Sequence, residues 1–83
     1  MWIMSQNERK YINFIPESQC KIEIASINQD GDLSIEIRFK DCAYSSELGR
    51  YSSLLKARIV LRQLADAIQR DQKEFTMPYK EDV

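Results

Sequence analysis

Along Leu33-Ser34-Ile35-Glu36-Ile37-Arg38-Phe39 the side chains alternate without a break. Leu33, Ile35, Ile37 and Phe39 fall on one side, and Ser34, Glu36 and Arg38 on the other. Such alternation defines an antiparallel strand with one buried and one solvated face. A buried face needs a cover. The cover is in the chain: residues 53–71 carry apolar side chains at helical spacing.

The partner of strand 33–39 is also legible. Residues 20–27 alternate in the same way, and Gln29-Asp30-Gly31-Asp32 lies between the two. Asp-Gly is a favoured pair for a two-residue type I′ turn. A turn centred on Asp30-Gly31 sets Ile24 opposite Ile37, Ile22 opposite Phe39 and Glu23 opposite Arg38. Sliding the pairing by two residues would oppose Glu23 to Glu36 and Lys21 to Arg38. Turn chemistry, apolar parity and charge therefore select one register.

Working outward, residues 1–5 and 11–14 read as two short strands around the polar loop Gln6-Asn7-Glu8-Arg9-Lys10, a hairpin with a mobile loop. Ile15-Pro16-Glu17-Ser18 ends that unit, because proline cannot donate to a ladder. After the tight connection Lys40-Asp41, residues 42–49 read as a further strand with Leu48 as its core residue. Ser52 or Ser53 is the expected helix N-cap, its hydroxyl accepting from an orphan N–H. At ~100° per residue Leu54, Ala57, Leu61, Leu64, Ala65 and Ile68 converge on one stripe, with Val60 and Ala67 on its flank. Glu74-Phe75-Thr76-Met77 reads as a short final strand, stopped by Pro78.

The expected fold is therefore α+β. An antiparallel β-meander of about five strands is packed by one long C-terminal helix, with a short final strand. The pattern leaves open whether the sheet curves toward a half-barrel. Residues 1–79 form the single domain and 80–83 a flexible tail.

Composition narrows the chemistry. The 83 residues are 43% hydrophobic, enough for one thin core without a deep pocket. Lys and Arg total 12 against 13 Asp and Glu, so the basic excess usual for phosphate-backbone binding is missing. Histidine is absent, which removes the commonest general base and metal ligand. Two widely spaced cysteines, Cys20 and Cys42, do not make a zinc site alone. In a meander their strands start at the same end with one strand between, about 9–10 Å apart. A disulfide wants a Cα separation below ~7 Å, so buried or half-buried free thiols are expected.

No G-x-S-x-G elbow, P-loop or dinucleotide fingerprint occurs, and Gly31 and Gly49 are the only glycines. Asp30-Gly31-Asp32 looks superficially like a calcium loop but lacks the closing glutamate. Glu36, Glu47, Asp30, Asp32 and Asp41 would serve a small acid–base enzyme only if the fold gathered them in a concavity that raises their pKa. No catalytic, cofactor or metal residue is assigned. No segment reaches ~18 apolar residues, and Met1-Trp2-Ile3-Met4-Ser5-Gln6 lacks the basic and apolar regions of a signal peptide. A soluble cytoplasmic protein without membrane attachment is expected.

Three islands in the chain resemble a family of small uncharacterised proteins of bacteria and their phages. They are Met1-Trp2-Ile3-x-Ser5-Gln6, then Leu48-Gly49-x-Tyr51-Ser52-Ser53 leading into a helix with Ala57, Val60 and Leu61, and finally Phe75-x-Met77-Pro78. The resemblance implies a compact β-meander, a helix and a last short strand, and brings no activity, cofactor or functional residue with it. Family members tend to carry acids after the serines, where this chain has Leu54-Leu55. That removes a favourable charge from the helix N-terminus.

Leu55 is also the sharpest anomaly of the pattern. Leu55 and Ile59 lie one helical turn apart, on the side away from the core stripe, among Lys56, Arg62, Gln63, Asp66 and Arg70. The site expected from this is a protein interface of Leu55, Ile59, Arg62 and Asp66, most simply a homodimer through the outer helix face, or another protein partner there. Two ordinary exposed aliphatics, or contacts with the first hairpin or tail, are the plain alternative. The function expected is thus a small non-enzymatic interaction protein of phage or mobile-element origin. The second expectation is a single-stranded nucleic-acid binder that stacks bases on Trp2, Tyr11, Phe14, Tyr44 and Tyr51, with Arg38, Lys40 and Arg50 nearby. Core packing explains those aromatics more cheaply, and the charge balance argues against nucleic acid.

Overall fold

A computed structural model describes residues 1–16, 19–29 and 31–83, with Gln29, Asp32 and Leu33 described by their backbone only. The strands are β1 (Trp2–Met4), β2 (Tyr11–Asn13), β3 (Lys21–Gln29), β4 (Asp32–Lys40), β5 (Ser45–Tyr51) and β6 (Glu74–Thr76), with the helix α1 (Leu54–Gln69) before β6. A 3-10 turn at Lys80–Asp82 ends the chain. The α+β class, the meander and the C-terminal helix are as the sequence indicates.

Strands β3, β4 and β5 form the antiparallel meander. Its first pairing has the register argued from charge and parity: Ile22 faces Phe39, Glu23 faces Arg38 and Ile24 faces Ile37. Asp30, half of the proposed turn pair, lies outside the described residues, as does the Leu33 side chain. Gly31 has φ +81°, the left-handed conformation that glycine adopts without strain.

Strands β1, β2 and β6 make a second three-stranded sheet in the order β2-β1-β6. β2 runs antiparallel to β1, and β6 runs parallel to it. With both edges of β1 occupied, the meander cannot extend onto it. Among the described residues one backbone–backbone hydrogen bond links the sheets: Gln6 N–H donates to the Leu48 carbonyl at 2.7 Å. Leu48 is the extra residue of a β-bulge, because Ile37 faces Gly49 while Arg38 faces Glu47.

The core joins both sheets and the helix: Ile3 and Met77 from one side, Ile35, Ile37, Phe39, Leu48 and Tyr51 from the meander, and Ala57, Val60 and Leu64 from α1. Ile22 and Ile24, on the outermost strand β3, are half-buried. Ser53 is the N-cap, its hydroxyl accepting from Lys56 N–H at 3.2 Å. At the other end Gln72 N–H donates to Ala67 O at 3.1 Å and Asp71 N–H to Ile68 O at 3.0 Å, with Asp71 at φ +58°. This is a Schellman closure made with aspartate where glycine is usual.

The buried line of α1 is Ala57, Val60, Leu64 and Ala67. It is rotated from the expected stripe: Leu54 and Ala65 are exposed, while Leu61 and Ile68 are half-buried at the margin. Packing overrides side-chain size here. The small Ala57 and Ala67 take buried positions, while Leu61 and Ile68 pack at the edge of the core.

The first hairpin loop is tied down. Ser5, 1% exposed, donates to Asn7 Oδ1 at 2.7 Å and accepts from Lys10 N–H at 3.1 Å. At the C-terminus Tyr79 donates to Glu8 at 2.9 Å, and Val83 packs against the core.

Candidate functional site

The outward face of α1 holds the expected interface residues. Leu55 is 70% exposed, and Ile59 and Leu54 are each 43% exposed. At ~100° per residue Leu55 lies almost opposite the line Ala57-Val60-Leu64-Ala67, with Arg62 and Asp66 beside it. Arg62 and Asp66 are exposed on the same face. Neither the first hairpin nor the tail removes Leu55 or Ile59 from solvent.

Charge is unevenly spread along this face. Asp66 pairs with Arg70 at 3.3 Å, one turn further on. Lys56, Arg58 and Arg62 surround the aliphatics and make no ion pair with a described residue. The N-terminal half of the helix has no acidic residue in its first turn. The result is an apolar patch in a cationic rim. Leu54 and Arg58 belong to it although the sequence did not single them out: Leu54 was absorbed by the expected core stripe, and Arg58 follows from the helix's rotation.

A second cluster occupies the outer face of the meander. Glu36 is 4% exposed although its strand faces outward there. Arg38 donates to it at 2.9 Å and Arg50 at 3.3 Å, and the Arg50 Nη2 also reaches Glu47 at 2.8 Å. Burial pushes Glu36 up, but hydrogen bonds with Glu47, Arg38 and Arg50 outweigh it and hold its carboxyl below the usual carboxylate range. Glu47 moves the other way, raised by its hydrogen bond with Glu36 and by burial. Arg50 Nε is buried without an acceptor among the described residues.

An open groove of about 770 Å³ runs beside this cluster, with Glu47, Arg50, Gln6, Tyr79, Lys80 and Glu81 among its walls. Acids and bases alternate in it, and the Arg50 Nη2 is already held by two carboxylates. The groove therefore offers no excess of either sign.

The aromatic residues do not form one surface. Trp2 and Tyr11 stack at 5.1 Å on the outer face of β1 and β2, and the Tyr11 hydroxyl bonds Glu74. Phe14 and Tyr51 are in the core. Tyr44 lies against Phe39, with ring centroids 6.2 Å apart. Arg38 and Arg50 are spent on Glu36 and Glu47, on the other sheet.

Cys20 is half-buried and Cys42 exposed. The exposure of Cys42 departs from the expected burial because β5 begins only at Ser45, leaving Cys42 in the connecting loop. Among the described residues, no group of three or more His, Cys, Asp or Glu is placed to hold a metal ion. Among the described residues, no helix is long and apolar enough to cross a membrane. Comparison with protein-family models, with curated proteins and with solved structures gives no match.

Proposed function

We propose that this chain is a small non-enzymatic protein that works by docking a partner protein onto the outward N-terminal half of α1. The observation that carries the reading is Leu55, 70% exposed and almost opposite the buried line, with Leu54 and Ile59 beside it. Single exposed aliphatics are ordinary, whereas Leu55 and Ile59 adjoin one helical turn apart and are flanked by charge, the composition of a docking surface. These residues bury little in the fold, so folding does not account for their apolarity.

A second copy is the simplest partner that symmetry offers. The nucleic-acid reading has less behind it: only Trp2 and Tyr11 share a face, and the group beside them is the acid Glu74.

The test compares wild type with the double variant Leu55→Glu/Ile59→Glu. Both are run by sedimentation velocity at high micromolar concentration, and by size exclusion in clarified extract of the source cells. Wild type in an assembly larger than a monomer in either setting, lost in a variant with unchanged circular dichroism, supports docking. A wild type that is monomeric in both refutes it.

A further inference from the structure

We infer that the partner is an acidic amphipathic helix of another protein, with leucine-type residues along one face and carboxylates on both flanks. This rests on the docking reading and adds the chemistry of what docks. The aliphatics call for an apolar ridge: Leu55 and Ile59 stand one helical turn apart, the spacing into which side chains of a second helix interdigitate.

The rim decides the rest. Lys56, Arg58 and Arg62 frame the patch and have no ion-pair partner among the described residues. The nearest acid on this face, Asp66, is engaged by Arg70. A second copy centred on Leu55 and Ile59 would press Lys56 and Arg58 against their own counterparts, and like-charge juxtaposition opposes association. Sliding the two helices to set Arg62 against Asp66 of the other copy carries Leu55 away from its apolar contacts. A membrane surface would take the charge but fits the shape poorly, because the main apolar face of α1 is inside the fold. An acidic partner helix satisfies both the ridge and the rim.

The probe is a display library of helix-forming peptides of about 18 residues, roughly five turns. Leucine is fixed at helical spacing, and the flanking positions are randomised over Glu, Gln and Lys. Selection on the wild-type protein is expected to enrich Glu-rich clones. Leu55→Ser is expected to weaken the best clone about tenfold or more. Arg58→Glu/Arg62→Glu, or raising salt from about 50 to about 500 mM, should weaken it to a similar extent.

Enrichment of Gln- or Lys-rich clones that still need Leu55 overturns the acidic chemistry and leaves the docking surface standing. Clones indifferent to Leu55→Ser overturn both, and so does an absence of enrichment. Leu55-dependent binding to vesicles with roughly 30% anionic phospholipid assigns the face to a membrane instead. Concentration-dependent dimerisation lost in Leu55→Ser assigns it to a second copy. Either result overturns the inference.

Discussion

Tyr51 gives the most demanding test of the fold. It is 1% exposed, and its hydroxyl donates to the Pro78 carbonyl at 2.8 Å. Burial pushes its pKa from 10.0 up to about 12. In the unfolded chain the phenol ionises near its ordinary value, while the native state holds it neutral for about two pH units more. Stability from this group is therefore complete below pH 10 and falls as pH rises from 10 through 12. The full loss is about 2–3 kcal/mol, at about 1.4 kcal/mol per pH unit.

Tyr51→Phe removes that dependence. At pH 8 it also removes one hydrogen bond, a cost of about 1 kcal/mol. The cost stays small because Gln6 Nε2 still donates to Pro78 O at 3.1 Å, so no carbonyl is orphaned. Wild type should thus be the more stable protein at pH 8 and the less stable at pH 12, with the two curves crossing at about pH 10.5–11. Urea unfolding followed by far-UV circular dichroism at pH 8, 10 and 11 reads this directly. Every other ionisable group is common to both proteins, so the difference isolates Tyr51. A wild-type advantage that stays constant from pH 8 to 11 would refute the assignment.

Three further outcomes follow from the packing. Gly49→Ala would place a Cβ 3.0 Å from Tyr51 Oη and 3.1 Å from Cε2, so the buried ring must move; a loss of about 2–3 kcal/mol is expected by urea unfolding, and a neutral result contradicts the contact. Glu36→Ala leaves Arg38 and Arg50 without their shared buried acceptor; both guanidinium groups still reach solvent and Arg50 keeps Glu47, so the cost should be about 1–2 kcal/mol at pH 7. Because the folded-state carboxyl is held low, that stability is present above the unfolded carboxylate range, and the gap to wild type should narrow as pH falls through that range and on through the lower folded-state value. Asp71→Gly relieves a non-glycine residue at φ +58° and should gain about 0.5–1 kcal/mol, seen as a melting temperature higher by a few degrees.

What was legible in the sequence was local. The register of β3 on β4 was overdetermined, since parity excludes a slip of one residue and charge and turn chemistry exclude a slip of two. Leu48 and the serine cap were readable because each is fixed within a few residues. The division into two sheets was not: β1, β2 and β6 are 3 residues each, too short for their pattern to name a partner, and β6 meets β1 across nearly the whole chain. The rotation of α1 was hidden for a related reason. Periodicity locates an apolar arc, but which edge of the arc is pressed inward depends on where small Ala57 and Ala67 permit approach. The burial of Glu36 depended on the bulge at Leu48, which sets Arg50 opposite Glu36 and Glu47 opposite Arg38 and so lets both guanidinium groups reach it.

The three islands on which the family resemblance rests turn out to share one place. Gln6 Nε2 donates to the carbonyls of Arg50 and Pro78, each at 3.1 Å, and Gln6 Oε1 accepts from Arg50 N–H at 2.9 Å. Tyr51 closes on the same Pro78 carbonyl, over a Gly49 that has no side chain to obstruct it. Met77 is 1% exposed beside them. One amide side chain thus ties the end of β1, strand β5 and the segment after β6 into a single knot. Closure of the domain accounts for these residues, so their recurrence in a family would be no guide to an activity. Leu55, Ile59, Arg58 and Arg62 stand in the opposite position, because none of them contributes to that knot or to the buried core. Stability and docking should therefore be separable by substitution: changes at Gln6, Gly49 or Tyr51 shift the unfolding midpoint, while changes at Leu55 or Arg58 leave it within about 0.5 kcal/mol and act only on what binds.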